Sequence, residues 1–524
     1  MVVFSCTVSQ PFFSYHQTPT TYHSKHLTLG TLKNPKVLNL DRLPINLTQS
    51  SLSLLPTSPI TSDEPLTTMN NYKEALKELR KEPLSIRNRL YSILLDAEYV
   101  SRFSSSGLPI VANERCGLWY VQPALLAESA YFKSTDGHTN QWKFSLRRLN
   151  FHLLPLLHTH GGLVLVDSTR KGKLMPDALS KTVPIWCAVL NYIMFEGQET
   201  DWDLQRENWL RTPLEMVSES EHSSMCKMVP GFATELKRLG LITKEELVKR
   251  LGAQKPLVPV WRHPGQKTVD VPRSSDYFIV VCLTASAASM ENLSGWHYVQ
   301  GAADDHELWA TKEICGGKLD ASVFWDVVQE TSEDKSVVDS TTRNLKHWLS
   351  DGELTRRINS IYEERSASHS GGSDATGLGE TGVSIGVIDE STTYADLESY
   401  EVVIVLSSTF KVDVPQKNTT VVLQYPIPDG KPGSKELRTL LPQIMTSIGH
   451  HKTVAVLCNS GKDISVGVAL CILCQRFTID WQPSTGHLVN KDVVKQHLGK
   501  ISDFRKVNPS RNTLQSVNTF LMGR

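Results

Sequence analysis

The chain has 524 residues, 40% hydrophobic and 21% charged, with a formal net charge of zero. That length is too great for one core and calls for two or three domains of ordinary globular composition. The zero balance excludes a uniformly basic nucleic-acid binder, so any RNA footprint must come from local patches. Apolar runs near the ~20 residues needed to cross a bilayer are also absent.

Residues 1–68 read as an extension. The first forty contain no Asp or Glu, are rich in Ser and Thr, and carry no Arg before Arg42. This fits a disordered or plastid-transit-like segment, or an upstream start if Met69 is the true initiator. Residues 69–365 are expected to form the first domain. Helical spacing runs through 72–102 (Leu79, Leu84, Ile86, Leu90, Ile93, Leu94). Leu163–Val166 and Phe278–Leu283 read as strands, 142–157 and 180–196 as helices, and 324–364 as helical and charged. Residues 366–381 are Gly/Ser-rich and read as a flexible linker. Residues 382–524 alternate strands (Val383–Ile388, Val402–Leu406, Thr420–Gln424, Thr453–Leu457) with helices (434–448, 465–477), the pattern of a mostly parallel sheet. The fold class is therefore α/β in two domains: a mixed α/β domain, then a parallel-sheet α/β domain.

The nine cysteines are scattered through the chain, which favours reduced thiols over a disulfide framework. Cys471 and Cys474 have Cys-x-x-Cys spacing but lie in an apolar helical stretch, so they read as buried helix residues. His152, His158 and His160 lack partners at metal spacing and predict no zinc.

Four stretches carry chemistry. In the first, an apolar strand runs into Cys458-Asn-Ser460-Gly461-Lys462-Asp463-Ile464-Ser465 and then an apolar helix, the layout of an anion-binding loop. It resembles the cysteine loop of dual-specificity phosphatases, with Asp429 near the position of their general acid. The family's preceding His is replaced by Leu457 and its phosphate-binding Arg by Ile464, which argues against phosphatase turnover. Phosphate cradling, or a scaffold role, survives those changes. In the second, the Leu163–Val166 strand ends in Asp167-Ser168-Thr169-Arg170-Lys171-Gly172-Lys173. Hydroxyls and cations on one loop suit a pyrophosphate or phosphoribosyl group, with Asp167 facing magnesium or a ribose hydroxyl; a merely solvated loop is the plainer reading.

The third is Tyr298–Trp309. Asp304, Asp305, His306 and Glu307 follow one another between apolar runs. Such acids either bind metal, here Mg2+ at Asp304 and Asp305, or cap a helix, and His306 is a candidate base. The fourth is Ser134-Thr-Asp136-Gly-His138, a turn that either caps the next helix or serves as a substrate loop beside Arg147-Arg148. Local charge supports RNA. Residues 141–173 hold six Lys/Arg against Asp167 alone, and 491–524 hold seven against Asp492 and Asp503.

Taken together, Ser134–His138, Asp167–Lys173, Ser180-Lys-Thr-Val-Pro-Ile-Trp186, Tyr298–Ala310, Cys458–Leu470 and Asn508-Pro-Ser-Arg511 resemble the eukaryotic initiator-tRNA 2′-O-ribosyl-phosphate transferase family over roughly 75–524. The resemblance implies a cytoplasmic pentosyltransferase with a phosphatase-like C-terminal domain. Its donor is phosphoribosyl pyrophosphate, assisted by Mg2+. Its acceptor is the 2′-hydroxyl of adenosine 64 of initiator methionine tRNA, and neither membrane nor DNA is a partner. On this reading Asp167, Asp305 and His306 are catalytic. Arg170, Lys171 and Lys173 bind the diphosphate with Ser168 and Thr169 as hydroxyl donors, and Asp136 and His138 belong to a substrate-binding loop. Cys458, Ser460, Gly461, Lys462, Asp463 and Ser465 hold a phosphate, with Cys458 not a nucleophile. A cysteine phosphatase and a non-catalytic tRNA-binding scaffold are the alternatives.

Overall fold

The computed structural model describes residues 84–523 apart from 171, 267–269, 291–295, 305–312, 369–373, 418 and 487; side chains of 304 and 366–368 also lie outside the description. Two five-stranded sheets organise these residues. The first has strands β1 (Ile110–Asn113), β2 (Leu126–Ala130), β3 (Gly162–Asp167), β4 (Leu257–Arg262) and β5 (Phe278–Thr284). Their order is β2-β1-β3-β5-β4 and every pairing is parallel.

Alternation along the strands feeds two cores. Val111, Leu163, Leu165, Val280 and Cys282 face one layer with the Val183–Met194 helix. Ile110, Ala112, Val164, Val166, Ile279 and Val281 face the other, with the helices Ile86–Ser101, Ala321–Gln329 and Asp351–Ser368. Gly162 is dictated by close approach, because a Cβ there would lie 2.6 Å from the Ile279 carbonyl oxygen.

The second sheet has β6 (Ala375–Gly377), β7 (Val383–Val387), β8 (Val402–Leu406), β9 (Val421–Tyr425) and β10 (Val454–Cys458), in the order β6-β7-β10-β8-β9. Only the β6–β7 pairing is antiparallel. The central strand β10 runs into the Ile464–Arg476 helix, whose residues 464–474 are all buried. Cys471 and Cys474 are core residues of that helix, as expected. All eight described cysteines are buried and free. None of the described helices is long and apolar enough to cross a membrane.

The sheets are joined through side chains. Arg238 pairs with Asp492, and Gln496 Nε2 donates to the Leu239 carbonyl at 2.7 Å. Arg250 Nη1 lies 3.5 Å from Asp503 Oδ1. Gly499 lets the Lys491–Phe504 helix close onto Leu241, since a Cβ there would meet Leu241 Cδ1 at 2.5 Å.

Three expectations change. The helix expected over 142–157 is confined to Leu154–His160 after a single 3-10 turn at Phe151–Leu153. Asn150 is left-handed (φ 53), and Pro155 disfavours helix in the residues before it. The charged stretch 324–364 is two helices, Ala321–Gln329 and Asp351–Ser368. Between them lie turns in which Asp339 accepts from the Thr341 and Thr342 N–H groups. Within the expected linker 366–381, Ala375–Gly377 is an edge strand, β6.

Candidate functional site

Strand order reverses direction between β1 and β3, and in open parallel sheets ligands bind beyond the strand C-termini at such a switch point. There Asn113, the last residue of β1, donates from Nδ2 to Asp167 Oδ2 at 2.8 Å. Its amide also closes a pair with Phe132, accepting from Phe132 N at 2.8 Å and donating to Phe132 O at 2.9 Å. Asp167 Oδ1 accepts from Ser168 N at 2.9 Å. Asp167 is 1% exposed, and its contacts fix the start of the following loop.

The loop is braced from two sides. Ser286 Oγ accepts from Thr169 N at 3.1 Å and donates to Thr169 O at 2.9 Å, while Ser168 Oγ donates to Ser286 Oγ at 3.1 Å. Gln300 bridges the far end, accepting from Gly172 N and donating to Lys173 O, both at 2.7 Å. Gly301 (φ 63) lies so close that a Cβ would meet the Thr169 carbonyl oxygen at 2.4 Å.

Residues 297–303 are in turn fixed to the Ile86–Ser101 helix. Val299 N donates to Ser92 Oγ at 2.8 Å, Tyr298 OH to Asp96 Oδ1 at 2.8 Å, and Arg89 Nη1 to the Ala302 carbonyl at 2.9 Å. Residues 297–303 thus sit against the cationic loop. Asp305, His306 and Lys171 themselves lie outside the described residues, as does the side chain of Asp304.

These elements bound a cleft of about 260 Å³ lined by Arg115, Ser134, His138, Ser168–Arg170, Lys173, Pro176 and Asp177. Cations dominate it. Its carboxylate, Asp177, lies 3.4 Å from Lys173 Nζ and 3.7 Å from both His138 Nε2 and Lys181 Nζ. The Ser134–Gly137 turn and the Arg170 loop, far apart in sequence, therefore form one site that includes His138. Asp136 does not join it: it lines a separate hollow with Lys133, Lys143 and Arg148. Arg115 and Asp177 were missed from sequence. The available signals were a charged pair directly after a short apolar run and a Pro-Asp before a helix.

The Cys458 loop does not reach this cleft. Lys462 instead lines a second cleft, between the sheets, with Glu114, Arg147, Arg148, His152, Lys506 and Asn508. Neighbouring residues Glu114 and Arg115 thus serve different clefts, on either side of the β1 tip. The second cleft is held by Arg148, which donates to Asn508 Oδ1 at 3.0 Å from Nε and 2.6 Å from Nη2 and stacks over Tyr131 at 4.2 Å. Lys506 pairs with Glu128. Burial opposes ionisation of Glu128, yet the Lys506 contact holds its pKa below the ordinary value.

Within the loop, Cys458 is 2% exposed and its thiol donates to Ser465 Oγ at 3.1 Å. Ser460 Oγ accepts from Lys462 N at 3.3 Å. Gly461 (φ 61) packs against Val387, Gly386 and Arg505. Arg505 is tied to Asp374 at 2.6 Å. Asp463 Oδ1 accepts from Ser510 N at 2.8 Å and from the Thr513 hydroxyl, which ties the loop to the start of the Arg511–Met522 helix. Ile464, at the family's Arg position, is 3% exposed in the core. Asn459 Nδ2 donates to Asp429 Oδ2 at 2.8 Å, occupying the carboxylate a phosphatase would use as acid.

Residues 79–350 match the Rit1 N-terminal domain model and residues 421–521 the Rit1 DUSP-like domain model. The tRNA A64-2′-O-ribosylphosphate transferase of Saccharomyces cerevisiae is 38% identical over 499 residues, covering 85% of this chain and 94% of that protein. An uncharacterized protein of Schizosaccharomyces pombe is 34% identical over 472 residues, covering 86% of this chain and 97% of its own length. Among solved structures, the Yvh1 phosphatase domain from Chaetomium thermophilum aligns with 28% of this chain and 94% of its own, at 14% identity and a TM-score of 0.22. On the two domain matches and the near full-length yeast relatives, the chain belongs to the Rit1 family.

Proposed function

We propose that this chain transfers 5-phosphoribosyl from phosphoribosyl pyrophosphate to the ribose 2′-hydroxyl of adenosine 64 of initiator methionine tRNA, keeping that tRNA out of elongation. The carrying observation is the cationic cleft at the sheet switch point, set beside a second basic cleft between the domains. In the first, Arg115, Arg170 and Lys173 meet the donor's phosphates, with Ser168 and Thr169 supplying the loop around them. In the second, Arg147, Arg148, Lys462 and Lys506 meet the tRNA backbone.

The 2′-oxygen bonds to the anomeric carbon as the bond to pyrophosphate breaks through an oxocarbenium-like state, and the hydroxyl proton goes to a base. We assign His306 as that base. The donor set fits magnesium, which prefers a carboxylate or two together with substrate phosphates. Asp304 and Asp305 would hold it, because Gln300 and Gly301, just before them, contact the donor loop. When bound, the ion supplies charge neutralisation to the leaving pyrophosphate. The protein's cations do the same from fixed positions, at no reorganisation cost during reaction.

The phosphatase alternative is disfavoured by the buried Cys458, the absent loop Arg and the engaged Asp429. The test incubates purified chain with labelled donor, Mg2+, and initiator or elongator methionine tRNA. Label on the initiator alone supports the assignment. Label on neither, with tRNA binding insensitive to the donor, supports the scaffold reading and sinks this one.

A further inference from the structure

We propose that Glu207, His222 and Cys226 form a zinc site in the first domain, with three protein ligands and a fourth position open to solvent. The three donor atoms face one another. His222 Nε2 lies 3.0 Å from Glu207 Oε2 and 3.3 Å from Cys226 Sγ, and that sulfur lies 3.5 Å from Glu207 Oε2. Zinc bonds of about 2.0–2.3 Å at tetrahedral angles place donors roughly 3.3–3.6 Å apart; the two edges to Cys226 fall in that range and the His222–Glu207 edge of 3.0 Å needs to open slightly.

Local structure sets this convergence. His222 and Cys226 are four apart on the Glu219–Cys226 helix and share its face. Glu207 arrives from the preceding turn, where Asn208 and Trp209 take left-handed φ values of 48 and 65. Such a conformation is costly for a bulky residue and persists only when held. Here Asn208 Nδ2 donates to the Cys226 carbonyl at 2.8 Å, and Trp209 stacks on Phe195 at 4.5 Å.

Without a metal the trio closes as a hydrogen-bonded set around Glu207 Oε2, which accepts from the Cys226 thiol at 3.5 Å and faces His222 Nε2 at 3.0 Å. The Thr212 hydroxyl contacts His222 Nδ1 at 2.8 Å. The thiol and the imidazole Nε2 thus meet at one carboxylate oxygen, which leaves the three donor atoms turned toward a common centre. A cation at the centre satisfies all three, while Thr212 orients the imidazole from behind, as metal-bound histidines require. A Cys–His–acid nucleophile relay needs the carboxylate on the opposite ring nitrogen from the thiol, which is not the arrangement here. Cys226 is 7% exposed, whereas the Glu207 side chain is 56% exposed, so the site is anchored inside and open outside.

The same helix carries Glu221, which pairs with Lys181 at 2.7 Å and accepts from Thr139 Oγ1 at 3.0 Å, next to His138 of the donor cleft. The bound ion would clamp this helix, which reaches the cleft only through Lys181 and Thr139. Binding exchanges the thiol proton for a Zn–S bond and releases that proton to solvent.

The test strips the purified full-length chain with chelator and titrates it with Zn2+, then with Co2+. One equivalent should bind, the melting temperature should rise, and the Co2+ form should show a sulfur-to-metal charge-transfer band. Cys226→Ser should abolish the band, and Glu207→Gln, a change at the exposed ligand, should weaken affinity roughly 100-fold. Thr212→Val should weaken it about 10-fold and keep the band. Absence of stoichiometric binding by the native chain, or binding that stays unchanged in Glu207→Gln and Thr212→Val, overturns the site.

Discussion

Asn113 at the end of β1 and Asp167 at the end of β3 are joined by a 2.8 Å hydrogen bond across the sheet switch point, 54 positions apart in sequence. The bond sets the spacing from which the Arg115 turn and the Arg170 loop diverge around the donor cleft. Asn113→Ala would leave a buried carboxylate and the Phe132 N–H short of partners. The expected cost is about 2–4 kcal/mol by denaturant unfolding. A loss under about 0.5 kcal/mol, the scale of a neutral surface change, would show that the bond holds nothing.

Arg170 is exposed on a braced loop, so Arg170→Ala should leave the melting temperature within a degree or two while transfer falls roughly 100-fold through both donor KM and kcat. Lys173→Ala should act in the same direction with a smaller loss, because Lys173 is shared with Asp177. Steady-state kinetics varying the donor at saturating tRNA checks both. An effect confined to tRNA affinity would contradict the placement.

The interdomain cleft makes the opposite prediction. Arg147→Ala or Lys462→Ala should weaken tRNA binding and reduce the salt-dependence slope by about one each, with donor KM unchanged. Cys458→Ser should retain transfer, since the thiol is buried against Ser465. Binding isotherms across a salt series, beside the transfer assay, separate the outcomes. A transfer-dead Cys458→Ser that folds normally would return the cysteine to the chemistry.

Burial pushes the Asp96 carboxyl well above the usual carboxylate range, partly opposed by the hydrogen bond from Tyr298. Its other oxygen, Oδ2, is buried without a hydrogen-bond partner. The folded chain therefore keeps a proton that the unfolded chain releases near pH ~4. The resulting stability is complete below that pH and is lost as pH rises toward the raised value. Asp96→Asn should consequently gain stability relative to the native chain between about pH 5 and 8. Parallel thermal melts across that range check it, and a constant gap between the two proteins would refute the shift.

Legibility in the sequence followed local pattern. β3 and β5 were readable because Leu163–Val166 and Phe278–Leu283 are continuous apolar, β-branched runs, the mark of strands buried on both faces. In the second sheet β7, β8 and β10 were readable for the same reason, whereas the short edge strand β6 lay hidden in a Gly/Ser-rich stretch. β1 and β2 were not, since Ile110–Asn113 is four residues long and Leu126–Ala130 is half exposed. The 142–157 helix was misjudged because basic and apolar residues there mimic helical spacing, while Asn150 and Pro155 set the backbone.

The Arg170 loop announced itself by composition. Arg115, Asp177 and the Glu207–His222–Cys226 trio did not, because they depend on contacts between segments that no periodicity encodes. Asp136 stands next to His138 in sequence, yet packing turns it into a separate hollow.

The most direct measurement compares two initiator methionine tRNAs, identical except that one carries 2′-deoxyadenosine at position 64, in the labelled-donor assay with Mg2+. Label should enter the all-ribose tRNA and be absent from the deoxy form, which still binds. Equal labelling of both, or of neither, would contradict transfer to that hydroxyl.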